Sequence, residues 1–189
     1  MLFYSGLLIS LAILLTIMIS GVHLYRFYFE QVIPPLLNLS GREIYYNQGL
    51  LGFISRLTEN IEVRRYLGIV STSLFVGITV VLTKKSKYEN LLFSLFITLL
   101  LLIDTLSWQH HFVWLIFPFA VVVYYATKLK KYWVWFLIGL AYILVSWNFK
   151  NPEPLYIFPK SLILSNTFYG AIILFVLNIY LLLRKKFVS

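Results

Sequence analysis

Apolar residues in this chain come in long uninterrupted runs, separated by short polar or basic stretches. Six runs stand out: Leu2–Ser20, Tyr66–Thr83, Leu91–Trp108, Phe112–Thr127, Trp133–Asn148 and Thr167–Leu183. Each approaches the ~20 residues that a helix needs to cross a bilayer, within a range of about 17–25. The fourth and fifth are short, so they are expected to lean on flanking Lys, Tyr and Trp at the interfaces. Residues 91–127 as one helix would measure roughly 55 Å, at about 1.5 Å per residue, against a hydrocarbon core of about 30 Å. The chain is therefore expected to turn, and the polar segment Ser107–His111 is the natural place. The pattern predicts an all-α, polytopic membrane protein with six transmembrane helices. It reads as one membrane domain over residues 1–189: a span over 1–20, an outer loop over 21–65, and five further spans over 66–183.

The outer loop has a pattern of its own. Pro34 and Pro35 break any helix near them. In "YYNQGLLGFISRLTENIEVRR", Tyr46, Leu50, Phe53, Ile54 and Leu57 recur at helical spacing, while Gln48, Gly52, Ser55, Arg56 and Glu59 fall on the other side. That spacing predicts an amphipathic helix lying at the membrane interface, its apolar face toward lipid or toward the spans.

Composition supports the membrane reading. Of the 189 residues, 60% are hydrophobic and only 12% charged, whereas soluble domains carry about 25% charged residues. The net charge of +9 would suit nucleic acid, but the cations sit between apolar runs, so no nucleic-acid partner is expected. Lysines and arginines crowd three short loops: Lys84, Lys85 and Lys87; Lys128, Lys130 and Lys131; Arg184, Lys185 and Lys186. With six spans these loops share one side, which the positive-inside rule makes cytoplasmic. Both termini are then expected inside, in the plasma membrane. Residues 21–65, 107–111 and 149–166 are expected outside. In the long loop, Arg26, Arg42, Arg56, Arg64 and Arg65 are offset by Glu30, Glu43, Glu59 and Glu62. Met1–Ser20 lacks a basic leader and a small-residue cleavage site, so it is expected to stay as a span.

Chemistry-bearing residues are few. The absence of cysteine excludes a disulfide framework and a thiolate metal site. "SWQHHFVWL", Ser107–Leu115, places His110 and His111 between two apolar runs. Asp104 is the only acid within a predicted span, and intramembrane ionisable groups usually face a bundle interior or a wet cavity. If the helix persists to His111, then Asp104, Trp108 and His111 stack on one face, where Asp104 could orient an imidazole or hold it protonated. The bland reading is an interfacial histidine at a span end. Adjacent histidines on a regular helix diverge by about 100° and cannot share one ion, so no metal is expected. His23 reads as an interface residue, and Asn38-Leu39-Ser40 is formally a glycosylation sequon. No phosphate-cradling glycine loop and no nucleophile motif is present.

Two segments together resemble glycosyltransferase family 87, membrane enzymes of the GT-C superfamily that use polyprenol-phosphate sugars, often mannose. "NQGLLGFISRL" is similar to the family's Asn-Gln-Ser-x-x-Gly-x-x-x-Arg-Leu pattern at Asn47, Gln48, Gly52, Arg56 and Leu57. "SWQHHFVWL" is similar to its Ser-Pro-x-Ser-Trp-(Asp/Glu)-His-His-x-x-Trp-Leu segment at Ser107, Trp108, His110, His111, Trp114 and Leu115. Gly49 departs from Ser, Asp104 and Thr105 stand where Ser-Pro is common, and Gln109 replaces an acid. Family members are longer, and the resemblance covers this chain as their C-terminal half.

The resemblance implies a cell-envelope glycosyltransferase, a mannosyltransferase in the usual family pattern, acting on the outer membrane face. It implies that Asn47, Gln48, Arg56, Trp108, His110 and His111 contact the donor. A guanidinium and two imidazoles suit a lipid phosphate. Trp108 suits a sugar face, and Asn47 and Gln48 suit hydroxyls or a helix cap. No cofactor is implied. The family's catalytic Asp lies in the first outward loop, and this chain has no Asp but Asp104. Glu30 and Glu43 sit in no matching motif, so the general base is expected from an N-terminal half or partner subunit. Two other readings stay open: a small transporter or channel using Asp104 and the histidines as a relay, and a non-catalytic membrane subunit.

Overall fold

The structure is a computed structural model that describes residues 2–34, 45–85 and 87–184. Pro35, the sequon at Asn38–Ser40, Arg42, Glu43, Lys185 and Lys186 lie outside the described residues. The described chain is all-helical, with no strand. It divides into two compact units, Met1–Ser40 and Gly41–Ser189.

The first unit holds α1 (Leu2–Ser20) and α2 (Val22–Phe27), the latter running on as a π-helix over Tyr28–Val32. The chain bends by 106° between them, at Gly21, whose φ of 78° is open to glycine. Arg26 Nε meets Glu30 Oε1 at 2.9 Å across one exposed turn. Helix therefore continues into what the sequence pattern assigned to the outer loop.

The second unit begins with a short helix, α3 (Leu50–Leu57), followed by α4 (Ile61–Lys85), α5 (Glu89–Ile103), α6 (Ile116–Leu129), α7 (Tyr132–Ser146) and α8 (Asn166–Leu183). Tight 3₁₀ turns over Gln109–Leu115 and Lys160–Ser165 lead into α6 and α8. α8 is the hub and packs on α5, α6 and α7, while α4 touches α3 and α5. Burial follows this order: 61% of the apolar stretch within Lys160–Leu183 is enclosed, against 17% within Ile61–Lys84. Leu95, Leu102, Val122, Leu174 and Leu177 are completely or almost completely enclosed around the hub. Uncharged polar side chains share that interior. Ser94 Oγ donates to Asn178 Oδ1 at 2.7 Å, and Asn178 Nδ2 donates to the Leu174 carbonyl at 2.9 Å.

Three helices among the described residues are long and apolar enough to cross a membrane: Ile61–Lys84, Gln109–Leu129 and Lys160–Leu183. A fourth is added if the bent pair in the first unit counts as one span. The distribution of length differs from the sequence pattern. The fourth apolar run gains the 3₁₀ turn before it and becomes long enough. The third run instead stops at Ile103, because Asp104 adopts extended backbone (φ −59°, ψ 137°) and ends α5. At about 1.5 Å per residue, α5 and α7 reach only about 22 Å each. Asp104 is thus exposed at a helix end, and the predicted stack of Asp104, Trp108 and His111 on one continuous helix does not form.

The lysine-rich loops around Lys84 and Lys128–Lys131, with Arg184, lie at one end of the second unit. Tyr88 meets Tyr125 at 6.1 Å between ring centroids, joining the start of α5 to the end of α6. Trp133 meets Tyr180 at 4.8 Å, joining the start of α7 to the end of α8. Lys128 and Arg184 lie over tyrosine rings at this end, 4.5 Å from Tyr124 and 4.8 Å from Tyr180. The segments around Asn47, Trp108 and Trp147 occupy the opposite end.

Candidate functional site

The two segments that carry the resemblance lie against each other. Asn47 and Trp108 form an isolated antiparallel bridge. On either side of it, Gln48 N donates to Ser107 O and Gln109 N donates to Tyr46 O, both at 2.8 Å. The Asn47 amide adds a bond from Nδ2 to Thr105 O at 3.2 Å. This close approach accounts for glycine at position 49. A Cβ on Gly49 would lie 2.8 Å from the Asp104 carbonyl and 3.1 Å from Ser107 Cβ. Gly49 and Asp104 are therefore neighbours, and a side chain at 49 would wedge the segments apart. At Gly52 a Cβ would overlap the Asn47 carbonyl, so the first turn of α3 needs glycine there.

Three of the expected donor-contacting residues are buried: Asn47 at 2%, Gln48 at 0% and Arg56 at 6% exposure. Gln48 Nε2 donates to the carbonyls of Tyr45 and Leu164, the latter at 2.7 Å. Arg56 Nε donates to Ser165 Oγ at 2.8 Å, and its Nη1 to Asn47 O at 3.1 Å. These side chains tie the 45–48 segment to the 160–165 turn. The amphipathic-helix expectation changes accordingly. α3 is only Leu50–Leu57, and it contacts α4, α5 and the 160–165 turn. Gly52 and Arg56, set by sequence on its polar face, are buried, while Leu57 is 40% and Tyr46 49% exposed. The physical reason is enclosure: polar groups of neighbouring protein, in place of water, satisfy that face.

The second segment presents its rings outward. Trp108 is 44% exposed, His110 is exposed and His111 half-buried. The His110 ring lies 6.0 Å from Trp108 and 4.4 Å from His111, centroid to centroid. His111 Nδ1 accepts from Trp108 N at 3.3 Å. Gln109 Nε2 donates to the Trp147 carbonyl at 3.4 Å, and Asn166 Nδ2 donates to the same carbonyl at 2.7 Å. Beside them Tyr45 OH donates to Asn148 Oδ1 at 3.1 Å and accepts from Phe149 N at 2.9 Å.

A cavity of about 620 Å³ opens where α3 turns into α4. Arg56, Glu59, Arg64, Tyr156, Phe158 and Ser161 are among its walls. Burial lowers the Arg56 guanidinium to about 10, against an opposing influence of Tyr169, Tyr156 and Tyr45; it is charged at neutral pH. Trp108, His110 and His111 do not line this cavity. The structure thus brings the two motif segments together, with Arg56 in a cavity and the histidines on the exposed rings' face. Arg64, Tyr156 and Ser161 were missed in the sequence. Arg64 reads there as one more loop charge, and nothing in the 149–166 stretch signals its return to α3.

No protein-family model, curated protein or solved structure matches the chain.

Proposed function

We propose that this chain is the C-terminal part of an integral-membrane glycosyltransferase that transfers a sugar, mannose in the pattern it resembles, from a polyprenol-phosphate donor at the outer membrane face. The observation that carries the reading is the pairing of Asn47 with Trp108. Two segments that separately resemble one family's motifs are adjacent, at the end of the bundle opposite the lysines. In this reading α1 and α4–α8 are six spans. The short α5 and α7 reach the interfaces through flanking Tyr88, Tyr132, Trp133 and Trp147. The lysine end and both termini are cytoplasmic.

Trp108, His110 and His111 face the donor. An exposed indole suits a sugar face, and imidazole N–H groups suit a phosphate at headgroup depth. Asn47, Gln48 and Arg56 hold that face in place from beneath. The base that takes the acceptor's proton must come within about 2.6–3.2 Å of it, or act through one water, and it comes from further spans in the same or a partner polypeptide. The relay reading has less support, since Asp104 ends a helix instead of lying inside one.

The test is a transfer assay with a labelled polyprenol-phosphate sugar, using the purified chain with and without a polypeptide supplying the missing spans. Turnover is expected only with both, and His111→Ala should weaken donor binding roughly 10-fold or more. Unchanged donor binding in His111→Ala and Trp108→Ala would sink the assignment. Turnover by the chain alone, abolished by Glu30→Gln or Glu43→Gln, would show that the base is in this chain.

A further inference from the structure

We propose that the cavity at the α3–α4 turn binds a phosphate group, and that its preferred carrier is a headgroup with hydrogen-bond donors of its own, hydroxyl or ammonium. This site is distinct from the histidine face and needs only the cavity and its charges, so it does not depend on the glycosyltransferase reading. Its volume of about 620 Å³ falls within the range of small-ligand pockets, about 300–1,000 Å³.

Two arginines line it, Arg64 from the first turn of α4 and Arg56 from α3, the latter with its guanidinium buried behind the wall. Both are held before a ligand arrives. Arg56 is fixed by Ser165 Oγ and Asn47 O. Arg64 Nε donates to Thr58 O, and its Nη2 to Ser55 O at 3.2 Å. The Arg64 fork, already fixed by the protein, loses little rotamer freedom on binding and suits a tetrahedral oxyanion better than a lysine would, while the buried positive charge of Arg56 adds to the attraction. Tyr156 adds a phenol and Phe158 an apolar wall.

Glu59 decides the carrier. It lies on the wall and is exposed. Its charge opposes a bare anion and favours a ligand that places a hydroxyl or ammonium against it. The cavity lies at the end of the second unit opposite the lysine loops, which in a bilayer is headgroup depth. Lipid headgroup and free phosphate share this chemistry, and the experiment separates them.

The full chain, purified in phosphate-free detergent at low salt, is titrated with inorganic phosphate, short-chain phosphatidylethanolamine and short-chain phosphatidylglycerol, each below its micellar concentration. Saturable binding is expected for all three, tighter for the two headgroups than for phosphate. Arg64→Gln should weaken every probe roughly 10-fold or more, and Arg64→Lys should recover only part of that, because the fork is lost. Glu59→Gln, a change at an exposed residue that leaves the fold intact, should tighten inorganic phosphate several-fold and narrow the headgroup preference. Gly139→Ala, where an added Cβ meets open space away from the cavity, should change nothing. Binding of phosphate without headgroup preference keeps the anion site and makes free phosphate its ligand. No saturable binding of any probe, or equal affinities in the parent chain, Glu59→Gln and Arg64→Gln, overturns the proposal.

Discussion

At the scale of single residues, the pairing of the two motif segments rests on what is absent from a side chain. Gly49 lets the Asp104 carbonyl approach, and any Cβ there must displace backbone. Overpacking of this kind costs about 1–3 kcal/mol, so Gly49→Val should lower the unfolding midpoint in detergent and expose Trp108 further to quenchers. Gly139 has open space where a Cβ would stand, and Gly139→Ala should hold or raise the midpoint, since glycine inside a helix costs about 0.5–1 kcal/mol relative to alanine. The interior pair Ser94–Asn178 gives a second prediction. Hydrogen bonds between membrane helices average about 0.6 kcal/mol and reach about 1.7. A double-mutant cycle on Ser94→Ala and Asn178→Leu should return a coupling in that range, and a coupling near zero would mean that the 2.7 Å contact contributes nothing. The lowered Arg56 value has a sign of its own. With the folded value below the unfolded one, the charged side chain opposes folding at neutral pH, and that cost is relieved as pH rises through about 10. An anion beside Arg56 stabilises its charged form, so added phosphate should raise the midpoint at pH 7 in the parent chain but not in Arg64→Gln.

Among the elements, the two ends of the helices are built differently. α6 stops at Lys130, which adopts a left-handed conformation (φ 50°), a state costing a non-glycine residue roughly 1–2 kcal/mol. Lys130→Gly removes that strain while adding freedom to the unfolded chain, worth about 0.5–1 kcal/mol in the other direction. The net expectation is a small rise in stability, read as an unfolding midpoint equal to or slightly above the parent; a clear fall would contradict the strain. α5 stops at Asp104, whose Oδ1 accepts from Leu106 N at 3.4 Å, and the chain turns there to lay Ser107–Gln109 beside Tyr46–Gln48. α3 shows how little an amphipathic pattern says about surroundings. The stripe of Leu50, Phe53 and Ile54 is packed as its spacing implies, but the Arg56 side is packed too, on Asn47 O and Ser165 Oγ.

On the scale of the whole molecule, the second unit sorts charge by end. Lys84, Lys87, Lys128, Lys130, Lys131 and Arg184 gather where α4, α6 and α8 finish, with Glu89 the acid at the start of α5. Trp108, His110 and the Arg56 cavity lie at the other end. If this axis crosses a membrane, Lys84→Cys and Gln109→Cys must label from opposite sides of sealed vesicles, the first from the cytoplasmic side. Labelling of both from one side would remove the six-span topology and the outward placement of the histidines with it. α4 is the least enclosed long helix and α8 the most, so a polar substitution at Leu174, fully buried on α8, should destabilise far more than one at Leu74, 61% exposed on α4.

Helix content, the places of α1 and α4–α8, and the gathering of basic residues between them were determined by the sequence alone. Each is a local property: runs of apolar residues favour helix wherever they are placed, and the charges sit where the runs stop. The two candidate segments were also legible, as resemblances. Their contact was not, because bridging Asn47 to Trp108 depends on how α4 and α5 lead the chain out and back, and no periodicity records that. The exact stop of α5 at Asp104, the enclosure of Arg56 and the return of Tyr156 and Ser161 to α3 were decided only by tertiary structure. A polar residue reads the same in sequence whether water or a neighbouring carbonyl satisfies it, and only the packed chain determines which of the two Arg56 meets.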